Sequence, residues 1–455
     1  MSKKMLLALL AVVALVATPA FASVQNVKIS GELDSTFVHR DNFDLIPGDG
    51  GVLQNNDQQS VFISQATVQI DADLTDKVSA TVAVINERAW GDGSVTTTGT
   101  DIDLWKAYVT LRELLYSPLT VIIGRQSFAY GNSFVFDSAG TNTSAPTDSG
   151  LNNVAEDLTK QTNMDAVRAI LDYNPLKIEG FVAVSNQGVV LINDVEDEAM
   201  IYGLVGTYSF NDKRNSLVEA YIFDKKDQTS NDTDAELGNH VNRIKVVGGR
   251  LSTNVIDSLN VQAEFAHQGG TIAGSPGVGF NKTRNALAFQ GIVNYQVPVL
   301  KDHAPMLQYV FTKVTGDSAD STDTDYTAWD PFYENQAGGT IYNTLYNLSN
   351  AEIHTVSLSG KVMEDVSSKL SLTKLFTQQK FGADQSLTLL QPDGASSTPA
   401  TNGSSDLGIE VDWTATYDYT EDVQFGLNVG VYKPGEIFEK KENAKQVLAN
   451  VNVKF

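Results

Sequence analysis

Along most of this chain, hydrophobic and polar residues take turns. At its end, Val447, Ala449, Val451, Val453 and Phe455 are apolar and two residues apart, and Gln446, Asn450, Asn452 and Lys454 fill most of the gaps. A strand sends alternate side chains to opposite faces, so such a segment has one apolar face and one wet face. Just upstream, Leu407, Ile409, Val411, Trp413, Ala415, Tyr417 and Tyr419 make one face and Glu410, Asp412, Thr414, Thr416 and Asp418 the other. Val423, Phe425, Leu427, Val429 and Val431 then alternate with Gln424, Gly426, Asn428 and Gly430. Near the start, Val27, Ile29, Leu33 and Phe37 oppose Lys28, Ser30, Glu32, Asp34 and Thr36.

Segments of this kind recur to give about eighteen predicted strands, with sixteen as the runner-up count. The connections between them alternate in length. Short turns fall at Asp73–Lys77, Asn174–Pro175, Asn211–Asn215 and Thr420–Asp422. Long polar stretches fall at Arg40–Gln59, Gly91–Thr100, Ser127–Gln161 and Gly316–Asn350. Periodicity alone fits a soluble sheet as well as a membrane sheet. A propeller or stacked sandwiches would carry repeat signatures and tight turns on both sides, and neither is present. An all-β transmembrane antiparallel up-and-down barrel fits better, with short periplasmic turns, long extracellular loops and both termini in the periplasm.

The N-terminus points the same way. Lys3 and Lys4 precede an apolar run from Met5 to Ala17, followed by Pro19 and Ala20-Phe21-Ala22. This is the three-part pattern of a secretory signal, and the run is short for a membrane anchor. The expected organisation is a cleaved signal at residues 1–22 and one barrel domain at 23–455. The chain carries a formal charge of −23, and loss of residues 1–22 removes two lysines to leave −25. Acidity of this size keeps loops soluble and argues against nucleic acid as a partner, since phosphate binding needs clustered Lys and Arg. With no Cys, there is no disulfide framework, thiolate metal site or haem attachment. No cofactor is expected.

A last strand ending in Phe is also found in bacterial outer-membrane proteins. Two internal stretches add to that likeness: Ile123-Gly-Arg-Gln-Ser-Phe-Ala-Tyr-Gly131, and Leu407-Gly-Ile-Glu-Val-Asp-Trp413 with Tyr417, the strand Val423–Tyr432 and Lys433-Pro-Gly-Glu436. These resemble the alginate-export family of Gram-negative outer-membrane porins. The resemblance implies an eighteen-stranded barrel that passes solutes across the outer membrane. An exporter of a polyanion is expected to line its pore with arginine, and here the inward candidates are Arg112, Arg125, Arg168 and Arg243. They stand among many acids, which is a departure from that pattern.

A pore selects by diameter, by rings of charge and by loops folded into it. The pore-lining candidates are therefore Glu32, Asp34, Lys106, Arg112, Arg125, Arg168, Asp172, Glu179, Glu264, Glu410 and Asp412. Such carboxylates either favour cations weakly or pair with Arg112 and Arg168 in an ordinary polar lumen. Strict alternation from Val121 and Ile123 aims Arg125 at lipid, so it belongs near the interface, after a bulge, or inside. The stretch Ser127–Gln161, seeded by Phe128, Tyr130, Phe134 and Phe136, either folds inward as a constriction or caps the outside. The five histidines are scattered, with no H-E-x-x-H and no G-x-S-x-G, so no enzyme and no metal site is expected. The acidic run Asp317–Asp325 lacks EF-hand spacing and reads as a solvated loop. The expected function is a porin passing small hydrophilic solutes or ions by passive diffusion, in contact with outer-membrane lipid and lipopolysaccharide, as monomer or trimer. The alternatives are a non-conducting barrel for adhesion or for anchoring or sheathing a partner, and a barrel hydrolase.

Overall fold

The computed structural model describes residues 26–47, 58–91, 102–139, 150–151, 154–185, 199–227, 242–272, 282–318, 325–335, 339–381, 386–392, 394 and 396–455. The expected signal at 1–22 lies outside them. Eighteen long strands follow one another: β1 Asn26–Asp41, β2 Gln58–Thr75, β3 Val78–Ala89, β4 Asp103–Arg112, β5 Leu119–Gln126, β6 Met164–Asp172, β7 Leu176–Ser185, β8 Ala199–Ser209, β9 Leu217–Asp227, β10 Asn242–Ile256, β11 Leu259–Ile272, β12 Lys282–Gln296, β13 Met306–Val314, β14 Ala351–Lys361, β15 Val366–Thr377, β16 Asp406–Asp418, β17 Val423–Pro434 and β18 Ala444–Lys454. Each pairs antiparallel with its sequence neighbour, and β1 also pairs with β18, from Glu32 opposite Lys454 to Asp41 opposite Lys445. The ring is closed. Its sheet has one further member, the two-residue strand Asp325–Tyr326, which lies parallel to Thr283–Arg284.

Closure is what lipid requires, because an open edge would leave backbone N–H and C=O groups without partners. Phe455 completes the seam: its N–H donates to Gly31 O at 3.1 Å and its carbonyl accepts from Gly31 N at 2.9 Å. Its ring lies over Gly31, where even a Cβ would come within 2.4 Å of the ring. The outward rows carry the exposed Leu, Val, Ile and aromatic side chains. Tyr116, Tyr173, Tyr208, Phe210, Tyr417, Tyr419, Phe425 and Phe455 gather at the short-turn end, as the aromatic girdle of a membrane interface does. At the other end, Phe62 stacks on Trp90 with ring centroids 4.9 Å apart.

One position breaks the predicted alternation. Leu407 was expected on the outward face with Ile409 and Val411, but it is turned inward and is only 4% exposed. The β15–β16 register shifts between Leu375 and Phe376, and opposite that shift Gly408 takes φ +146°. An added Cβ at Gly408 would sit 2.5 Å from Lys433 O. A bulge thus re-aims Leu407 into the barrel.

Outward and inward rows differ in what they tolerate. Leu204→Arg, on the outward row in the middle of β8, is expected to destabilise the barrel by about 2–4 kcal/mol. Asn428→Arg, on an inward row of β17, is expected to stay within about 1 kcal/mol. Urea titration of refolding into lipid vesicles checks the pair, and equal losses would contradict the facing.

The lumen and its inward loops: candidate functional site

An eighteen-stranded ring is too wide for its own inward side chains to fill. Two loops do much of the filling. After β5, a small hairpin pairs Ala129–Tyr130 with Phe136–Asp137 inside the barrel. Phe128 packs on Phe181 at 5.1 Å and Phe136 on Phe223 at 5.3 Å, both inward residues of the wall. Tyr130 stacks on Phe181 and donates its hydroxyl to Glu179 Oε1 at 2.5 Å. Phe134 lies over Trp329 of the second loop at 6.5 Å. The hairpin turn rests on Glu264, which accepts from Asn132 N at 3.3 Å and from the Tyr221 hydroxyl at 2.8 Å. Gly131, at φ +62°, makes that approach possible, since a Cβ there would lie 2.7 Å from the carboxylate. Of the two orientations open from sequence, the described part of the loop takes the inward one.

The end of the same loop is pinned by charge. Arg40 meets Asp157 with Nη2 to Oδ2 at 2.6 Å and donates from Nε to Gln446 at 2.7 Å. Lys160 reaches Glu32 at 2.8 Å and Asp34 at 3.5 Å. Glu87 accepts from Lys160 N and from the Thr159 hydroxyl, each at 2.7 Å. Buried charges are tolerated where they are paired and hydrogen-bonded in this way.

The second inward loop joins β13 to β14. Glu410 is fully buried and accepts three backbone N–H groups, from Thr340 at 2.7 Å, Ile341 at 2.8 Å and Tyr342 at 2.7 Å. Asp412 accepts the Thr340 hydroxyl at 2.6 Å. These contacts hold the start of a one-turn helix, Tyr342–Leu345. The loop also binds the first one, with Asp137 N donating to Tyr333 O at 2.7 Å. Gln268 and Asp330 exchange two hydrogen bonds of 2.8 and 2.9 Å between wall and loop.

Against this frame the charged candidates separate. Glu32, Asp34, Glu179, Glu264, Glu410 and Asp412 face inward, and each is engaged with a loop or with a neighbouring side chain. Arg168 faces inward, donating to Glu179 at 2.7 Å and lying over the Phe128 ring at 4.5 Å. Lys106 faces inward opposite buried Ala83, because a register shift at β3–β4 accommodates Trp105 as an extra residue. Arg112 and Asp172 stand at the short-turn end of inward rows, away from the loops. Arg125 does not join the lumen. Its cross-strand partners Ala107 and Asp165 lie on outward rows, and it reaches Asp165 at 3.5 Å beside the loop end of β5. Arg243 is likewise outward, paired with Asp224. The inward acids are thus loop anchors more than an open ring of charge.

What the loops leave open is a cavity of about 600 Å³ against the β12–β16 wall. Its polar lining includes Gln308, Thr312, Asn343, Asn347, Thr355 and Lys369. Lys369 also borders a smaller cavity of about 270 Å³ nearer the short turns, lined by Ser359, Lys361, Ser367, Thr414 and Thr416. The two lie in series along the lumen wall.

Sequence reading did not single out Arg40, Glu87, Asp157 or Lys160, and it took the second loop, Gly316–Asn350, only as a long polar connection. A signal for the loop was present: Trp329, Phe332, Tyr333, Tyr342 and Tyr346 are too aromatic for a purely solvated connection. Gly408 inside an otherwise regular strand was a signal for the bulge.

The chain matches the family model described as alginate export over residues 28–452. No curated protein sequence matches it. Among solved structures it is similar to the outer-membrane protein OpdK of Pseudomonas aeruginosa, with a TM-score of 0.56, 8% identity, and coverage of 95% of this chain and 100% of that one. OpdK solved with vanillate gives 0.56, 10%, 95% and 99%. OccK2 (OpdF) of the same organism, solved with glucuronate, gives 0.54, 9%, 95% and 97%.

Glu410→Gln replaces one of the two oxygens that accept three backbone N–H groups by an NH2, which cannot accept, and leaves at least one buried N–H unpaired at a cost of about 1–3 kcal/mol. Protease cleavage within residues 339–350 of the folded barrel is expected to accelerate about tenfold or more. An unchanged rate would show that Glu410 does not hold the loop.

Proposed function

The chain belongs to the alginate export family, and from that premise we propose that it is an outer-membrane channel passing small hydrophilic solutes or ions by passive diffusion. The observation that carries this reading is the pair of lumen cavities, the larger left open between the inward loops and the β12–β16 wall and the smaller beside it toward the short turns. Fold relatives solved with vanillate and with glucuronate support solutes of that size. A polyanionic polymer is a poorer fit. Of the arginines expected to line its path, Arg125 and Arg243 face outward and Arg168 is held by Glu179. The family is described as alginate export and the fold relatives as outer-membrane proteins, which supports a channel over an enzyme. Export to the outer membrane is directed by residues 1–22, acting as a cleaved signal.

The engaged carboxylates also revise the expected ion preference. Glu32 and Asp34 share Lys160, and Glu410 accepts backbone N–H groups, so these acids are tied to the loops rather than set as an open ring along the path. In planar bilayers the purified barrel is expected to give discrete conductance steps, with a reversal potential near zero in a KCl gradient. Absence of steps would favour the non-conducting reading, in which the barrel displays its loops or anchors a partner. Strong cation selectivity would show that the loop-anchoring pairs open in the conducting state.

A further inference from the structure

Resting on the channel reading, we infer that the larger cavity is a binding site for small solutes with an apolar body and one polar end, rather than a plain water-filled passage. A porin lumen is ordinarily polar. Here Val310, Ile353, Leu375, Leu387 and Leu407 line one side of the cavity, with Phe381 beside them. They come from four strands and the β15–β16 connection, so no single apolar segment accounts for the patch. Leu407 is the most telling member. By alternation it belongs on the lipid face, and only the Gly408 bulge turns it inward to complete the apolar side. A fold that merely needed a polar lumen gains nothing from that inversion.

The polar end has its own place. Lys369 borders the cavity near the short turns, and Gln308 stands at a similar level of the wall, nearer the short turns than Ile353 and Leu375. Lys369 has no ion-pair partner within 4 Å among the described residues, unlike Arg168 and Lys160. A solute entering from the loop side would lay its apolar body against the leucines and direct its polar end toward Lys369. The volume of about 600 Å³ suits a small organic molecule rather than a polymer. Such a site makes permeation saturable and favours amphipathic solutes over equally polar ones without an apolar group.

Two membrane-impermeant probes isolate the apolar contribution: phenyl β-glucoside and methyl β-glucoside share a sugar and differ only in the aglycone. Each is titrated against single-channel KCl current through the full barrel. Phenyl glucoside is expected to block with a half-saturating concentration about tenfold below that of methyl glucoside, from burial of the ring. Val310→Thr keeps the side-chain shape and removes a methyl from the apolar wall, and Leu407→Ser removes the inverted leucine. Each is expected to narrow the difference to about threefold or less, with heat-modifiable gel migration as the sign of a folded barrel. Equal block by both glucosides in the native channel would overturn the inference and leave the channel reading intact, whereas absence of conductance would overturn the channel reading itself. A difference that survives in both variants would place the apolar contact elsewhere and overturn this assignment.

Discussion

Everything in this molecule follows from the need to satisfy backbone polar groups where no water can reach them. A sheet in hydrocarbon cannot have an edge. The seam between β1 and β18, continued by the paired Gly31 and Phe455, is therefore the contact on which the rest depends. Once the seam is made, every strand has a hydrogen-bonded neighbour on both sides, and outward side chains are free to be apolar. The price of closure at eighteen strands is an interior wider than its own side chains can span.

The inward loops are the response to that width, and they meet the same constraint again. A loop inside a barrel brings its own backbone polar groups with it. The wall carboxylates accept them: Glu410 takes three consecutive N–H groups, Glu87 takes Lys160 N and Glu264 takes Asn132 N. Aromatic packing supplies the apolar part, with Phe128, Tyr130 and Phe136 set against Phe181 and Phe223. Acids that look like a selectivity filter in a list of residues are, in space, the hydrogen-bond acceptors for folded-in backbone. The channel that remains is displaced to one wall, where polar side chains face an aliphatic patch.

How much of this was legible in the sequence depended on range. Alternation is a local property, so the strand positions of Val423–Val431 or Val447–Phe455 could be read directly, and connection lengths gave their sense across the membrane. The facing of Glu410 and Asp412 was legible for the same reason. Their partners were not, because Thr340 lies about seventy residues away and nothing in either segment marks the other. Arg40 and Asp157, or Gln268 and Asp330, are coupled over similar distances.

The sequence by itself determined an alternating, strand-rich chain with long and short connections in turn, because a period of two and a run of turn residues need no knowledge of the rest of the molecule. Only the tertiary structure decided which way the long loops fold, which acids are consumed in holding them, and that Leu407 faces the lumen. Those outcomes depend on the width of the closed ring and on a register shift between β15 and β16, which exist only once distant strands have met.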